Sequence, residues 1–120
     1  MAESGHISTT VQIAIDAQGG KVVVQFDRDI GFLRMKPRQA AEFSRALGDK
    51  VESITDQNLT YISPVGISVD VQNKDIVIQF DQMVDHLELV PLRAAELCFA
   101  VADKVESVYK YKSPIITGIH

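Results

Sequence analysis

The chain states one pattern twice. Shifted by 54 positions, residues 11–53 lie on residues 65–107 without a gap, and 19 of the 43 aligned positions are identical. Gln25-Phe26-Asp27 returns as Gln79-Phe80-Asp81, and Leu33 and Pro37 return as Leu87 and Pro91. Ala40-Ala41-Glu42 returns as Ala94-Ala95-Glu96, and Asp49-Lys50-Val51-Glu52-Ser53 as Asp103-Lys104-Val105-Glu106-Ser107. Several other positions exchange one apolar residue for another, as Val22 for Ile76 and Phe43 for Leu97. An internal repeat constrains architecture more than any local motif, because whatever one copy folds into the other must fold into as well.

A copy of about fifty residues is near the lower limit for an independent core, and 120 residues make one domain. The expectation is a single domain over 1–120 built from repeats 8–55 and 62–109, which share one core, with a tail at 110–120.

Within a copy, the period of the apolar residues gives the elements. Val11, Ile13 and Ile15 alternate with polar or small residues, as in a strand with one buried face. Gly19-Gly20 supplies the positive φ values of a tight hairpin, and residues 21–27 read as a second strand. Arg28-Asp29 is expected to turn the chain into a short third strand at 30–35. Pro37 marks a helix start, since a proline at the first helical position gives up no hydrogen bond. Ala40, Phe43, Leu47, Val51 and Ile54 follow at helical spacing. The second copy repeats this, with a turn at Gln72-Asn73-Lys74 and a helix from 91 to about 109. Residues 1–7 are expected to be a loose arm. The tail phrase Tyr111-Lys112-Ser113-Pro114-Ile115 echoes Tyr61-Ile62-Ser63-Pro64-Val65, which leads into a strand, so a tail strand is one expectation and a frayed end the other. The fold class is α+β: tandem ββ(β)α units in a two-layer sandwich, one antiparallel sheet of four to six strands with two helices on one face.

Where the copies differ, they point to contacts. The second helix carries its core stripe and also Leu92, Ala95, Phe99, Ala102 and Tyr109. The first helix has Arg38, Ala41, Arg45, Gly48 and Thr55 at those places. A helix apolar around so much of its circumference has two buried sides. Either it packs on the first helix through this second stripe, or the stripe is a partner interface. Val23 and Val77 stand on the outer face of equivalent strands, where a solvated face with a high-propensity valine is the usual reading and a covering partner sheet the other. Arg28, Arg34, Arg38 and Arg45 gather in the first copy, opposite Gln82, Glu88, Leu92 and Phe99 in the second. That suits a head-to-tail contact between protomers, an anion held at an interface, or a plain solvated face.

The sequence offers little catalytic chemistry. His6, His86 and His120 lack a second metal ligand at useful spacing, and His86 replaces Phe32, as a partly packed residue would. Cys98 replaces Ser44 on the buried stripe, where a small unreactive residue is expected. Asp16/Asp70 and Asp27/Asp81 end equivalent strands; they are turn formers first and a possible acid–base or cation pair second. No glycine-rich phosphate loop precedes a helix. A net charge of −4 and a pI near 5.2 argue against a general nucleic-acid or anionic-membrane binder and leave room for a local basic patch. No apolar run approaches membrane length. A single cysteine and a first segment without signal-peptide character make a cytoplasmic protein the expectation.

Phe26-Asp27, then Leu33-Arg34-Met35-Lys36-Pro37-Arg38-Gln39-Ala40-Ala41-Glu42-Phe43, and the same phrase at 80–97, resemble a pattern found in small uncharacterised proteins of phage and bacterial genomes. The resemblance implies a phage-encoded accessory or virion component, located in the virion if so, and carries over no active site. The expectation is a non-enzymatic assembly protein with no cofactor and no metal, whose partners are itself or a larger protein assembly. The alternative is a binder of a small anionic metabolite or nucleotide between protomers.

Overall fold

Two hairpins with matching turns set the frame. The computed structural model describes residues 6–8, 11–54 and 65–112. Strands β2 (Gln12–Gln18) and β3 (Lys21–Met35) are joined through Gly19 and Gly20, both at positive φ. Strands β4 (Ile67–Gln72) and β5 (Asp75–Leu89) are joined through Asn73 and Lys74, also both at positive φ. Two consecutive residues of this kind match the twist of the flanking strands. A three-residue strand, β1 (His6–Ser8), adds antiparallel to the outer side of β2. The sheet is antiparallel throughout and runs β1-β2-β3-β5-β4.

The two hairpins meet along β3 and β5, and this ladder is symmetric under the 54-residue shift. Val22 pairs with Leu89 as Ile76 pairs with Met35, and Val23 pairs with Glu88 as Val77 pairs with Arg34. Gln25 pairs with His86 as Gln79 pairs with Phe32. Each long strand thus uses its first half against one part of the other strand and its second half against the equivalent part.

Helix α1 (Pro37–Ser53) begins directly after β3, and α2 (Pro91–Lys112) directly after β5. Pro37 stands at the start of α1, and the Lys36 amide donates to the Gln39 side chain at 3.0 Å. One apolar cluster joins strand residues Ile13, Val24, Leu33, Met35, Ile76 and Ile78 to helix residues Phe43, Leu47, Leu97 and Val101. The helices cross at two residues 54 positions apart. The Ser44 hydroxyl donates to the Cys98 carbonyl at 3.0 Å, and the Cys98 thiol donates to the Ser44 carbonyl at 3.2 Å. Gly48 sits at the same crossing; a Cβ there would lie 3.5 Å from the Cys98 sulfur. That is ordinary contact distance, so the glycine that costs roughly 1 kcal/mol of helix propensity is not required there by crowding.

Three expectations are corrected. Arg28-Asp29 does not turn the chain, and 30–35 is not a separate strand: β3 runs unbroken from Lys21 to Met35. The ladder instead changes register between Gln25 and Ile30 and again before Phe32, as at a bulge. Such an irregularity lets a strand bend without ending. Residues 6–7 belong to β1 rather than to a loose arm. Val23 and Val77 are not solvated: they are 9% and 2% exposed. The tail from 113 and the linker at 55–64 lie outside the described residues, so the tail strand does too.

Lys74 holds φ at 68° where the first copy has Gly20. A side chain in this region costs roughly 1 kcal/mol. Replacing Lys74 with Gly is expected to raise stability by about 1 kcal/mol, read as a higher urea midpoint with an unchanged slope. A lower midpoint would mean that Lys74 makes a compensating contact.

Candidate interaction surface

Helix α2 separates its apolar residues onto two sides. Ala94, Leu97, Val101, Val105 and Val108 are buried in the core, and Cys98 turns toward α1. Leu92 and Phe99 remain 67% and 73% exposed, and Tyr109 is 48% exposed. Ala102 is exposed and Ala95 half-buried. Helix α2 does pack on α1, but through Cys98 and Ser44. Leu92 and Phe99 take no part in the core and form an open row on α2.

The four arginines do not share one surface. Arg28 is held by Asp27 at 3.0 Å. Arg34 alternates with the core residues Leu33 and Met35, so it stands on the opposite face of the sheet. There it reaches Asp75 at 3.0 Å and the Gln72 side chain at 3.3 Å. Arg38 and Arg45 are exposed on α1, and neither makes an ion pair with another described residue. They occupy the places that Leu92 and Phe99 hold on α2.

On the sheet face away from the core, Arg34 starts opposite Val77 and ends on Asp75 and Gln72, which places its stem beside that valine. Long charged side chains shelter apolar surface in this way. The repeat-equivalent places hold Glu88, Val23 and Lys21, with the signs of the charges exchanged and the Lys21 stem buried. His86 is exposed rather than packed, with Nδ1 2.9 Å from Asp85 Oδ1. Hydrogen bonding to His86 lowers the Asp85 carboxyl below its ordinary value. The Arg28 hydrogen bond likewise lowers Asp27.

The remaining polar candidates have local duties. Asp16 and Asp70 each accept from the next backbone amide, at 2.8 Å, as turn-type aspartates do. The amide of Asp81 donates to the Gly66 carbonyl. Among the described residues no three His, Cys, Asp or Glu side chains stand together as metal ligands would, and no helix is long and apolar enough to cross a membrane. Two exposed apolar residues, Phe32 at 57% and Met83 at 64%, were not singled out from sequence. The signal was present: each faces a polar residue, His86 and Asp29, in the other copy.

Asp75 connects this surface to pH. Burial would raise its carboxyl, but hydrogen bonds and charges from Arg34 and Lys36 outweigh burial and hold it below its usual value. The unfolded chain lacks these donors and protonates at an ordinary value, about 3.9. The ionised group therefore stabilises the fold above that value, and the contribution is lost as pH falls through the lower folded value. Both cations are substantially exposed, so solvent screening limits the gain to about 1 kcal/mol or less. Asp75→Asn should be less stable than the parent at neutral pH, and the difference should shrink toward about pH 2. Urea titrations at stepped pH measure this; a pH-independent difference would assign the effect to packing.

Compared with known protein families, curated proteins and solved structures, the chain matches none of them.

Proposed function

We infer that the chain is a non-enzymatic assembly protein that acts by binding copies of itself, and that it is two copies of one unit layered as helices on a sheet. The phage-type pattern in its sequence fits an accessory or virion component. The observation that carries this reading is the open row of Leu92 and Phe99 on a helix whose other side already fills the core. Contiguous exposed apolar surface marks interaction sites.

Charge indicates how copies meet. The outer sides of both helices carry the same acids, Glu42, Asp49 and Glu52 on α1 and Glu96, Asp103 and Glu106 on α2. Only α1 adds Arg38 and Arg45; α2 has Leu92 and Phe99 there. Setting α2 of one copy on α1 of another places the apolar row against the arginine stems. It also brings the free guanidinium groups to the acids of α2. Burying a leucine or phenylalanine side chain is worth roughly 1.5–3 kcal/mol, and every 1.4 kcal/mol is about tenfold in affinity.

Light scattering should therefore give a mass above the 13.2 kDa of one chain. Phe99→Arg should return it to one chain that still unfolds cooperatively, with the thermal midpoint the parent shows when diluted to one chain, because the residue lies outside the core. Arg45→Glu should also weaken the assembly, and added salt should weaken the parent. A parent of one-chain mass at high concentration, or a Phe99→Arg protein that assembles as before, would refute this reading.

A further inference from the structure

The outward sides of the two helices stand next to each other. Both helices join one core cluster with the sheet, and they touch at Ser44 and Cys98. Strands β3 and β5 are antiparallel and each helix follows its strand directly, so α1 and α2 run in opposite directions. Arg45 and Phe99 directly follow the two crossing residues and stand at the middle of this helix layer. Arg38 precedes the crossing by about 9 Å along α1, and Asp103 and Glu106 follow it by about 8 to 12 Å along α2. Because the helices are opposed, Arg38 lies at the same end of the layer as Asp103 and Glu106. All five side chains are exposed.

Helix α2 can lie on the α1 of a second copy in two senses, and charge decides between them. A parallel seating sets Phe99 on Arg45, but it also stacks Glu96, Asp103 and Glu106 on Glu42, Asp49 and Glu52, all exposed. Like charges set against each other are costly. An antiparallel seating keeps Phe99 at Arg45, brings Arg38 to Asp103 and Glu106, and brings Arg45 beside Glu96. A twofold axis along the helices produces this seating, and it lays each copy's α2 on the other's α1 at once. We propose that a second copy of the chain docks helix layer on helix layer about such an axis, closing a pair in which both unlike contacts form together. The inference rests on the self-association proposed above and adds its geometry. The contact is isologous and closes, whereas a head-to-tail contact leaves a free face at each end. Once the first contact forms, the second is intramolecular, which favours closure over growth. Phe99 and Arg45 meet twice near the axis, and Leu92 lies nearer the rim.

Light scattering of the full chain over a concentration series tests closure. The mass is expected to level off at twice the 13.2 kDa of one chain. A mass that keeps rising past two chains would overturn the closed pair and leave self-association standing, whereas a one-chain mass throughout would overturn both. Charge exchange tests the seating. Arg38→Glu and Asp103→Arg are each expected to weaken the pair about tenfold or more, since each sets like charges together twice. The double variant Arg38→Glu/Asp103→Arg is expected to recover most of the loss. In a parallel seating Asp103→Arg would meet Asp49 instead. A stronger pair in Asp103→Arg alone, or a double variant no better than the single ones, would overturn the antiparallel docking.

Discussion

The β3–β5 ladder is the interaction on which everything else rests. It is the contact through which the two halves share a sheet, and its register fixes where both helices start. Leu33 and Met35 face the core from one end of the ladder, and Leu87 and Leu89 from the other. A one-residue slip of either strand would turn its own pair, Leu33 and Met35 or Leu87 and Leu89, to the opposite face and bring Arg34 or Glu88 inward. Burial thus specifies the register, and the register delivers Pro37 and Pro91 to equivalent places where the helices begin.

The helix crossing follows from the same geometry. Ser44 and Cys98, 54 positions apart, each donate to the other's carbonyl. Gly48 lies beside Cys98 at the same crossing. Cys98 is thereby occupied in a structural contact rather than placed as a nucleophile. Because α2 meets α1 through Cys98, its Leu92 and Phe99 side is left open among the described residues.

Local signals carried the hairpins and helices into the sequence reading. Gly19-Gly20, Pro37 and Pro91 each act within a few residues and need no tertiary context. The continuity of β3 through Arg28-Asp29 was not legible, because the charges there usually mark turns and the ladder that carries them across comes from β5. The burial of Val77 was equally hidden. Val77 lies across the ladder from Arg34, which reaches Asp75, 41 residues away in sequence. Once the register is known, the sign-exchanged set at Glu88 and Lys21 becomes readable as its counterpart. Leu92, Phe99 and Tyr109 were legible as a second apolar stripe, but whether α1 or solvent covered it depended on the helix crossing.

Equal cores and unequal surfaces have a consequence for assembly. If both helices carried the outer residues of α2, each half would present the same apolar face. Copies could then join through either half in several ways. If both carried those of α1, repulsion among arginines would hold copies apart. On the proposed reading, with Arg38 and Arg45 on one helix and Leu92 and Phe99 on the other, the α1–α1 pairing is disfavoured and the α2–α1 pairing favoured. Specificity of this kind needs a repulsive element as well as an attractive one. On the proposed reading, divergence between the repeats supplies both without altering the ladder that holds the halves together.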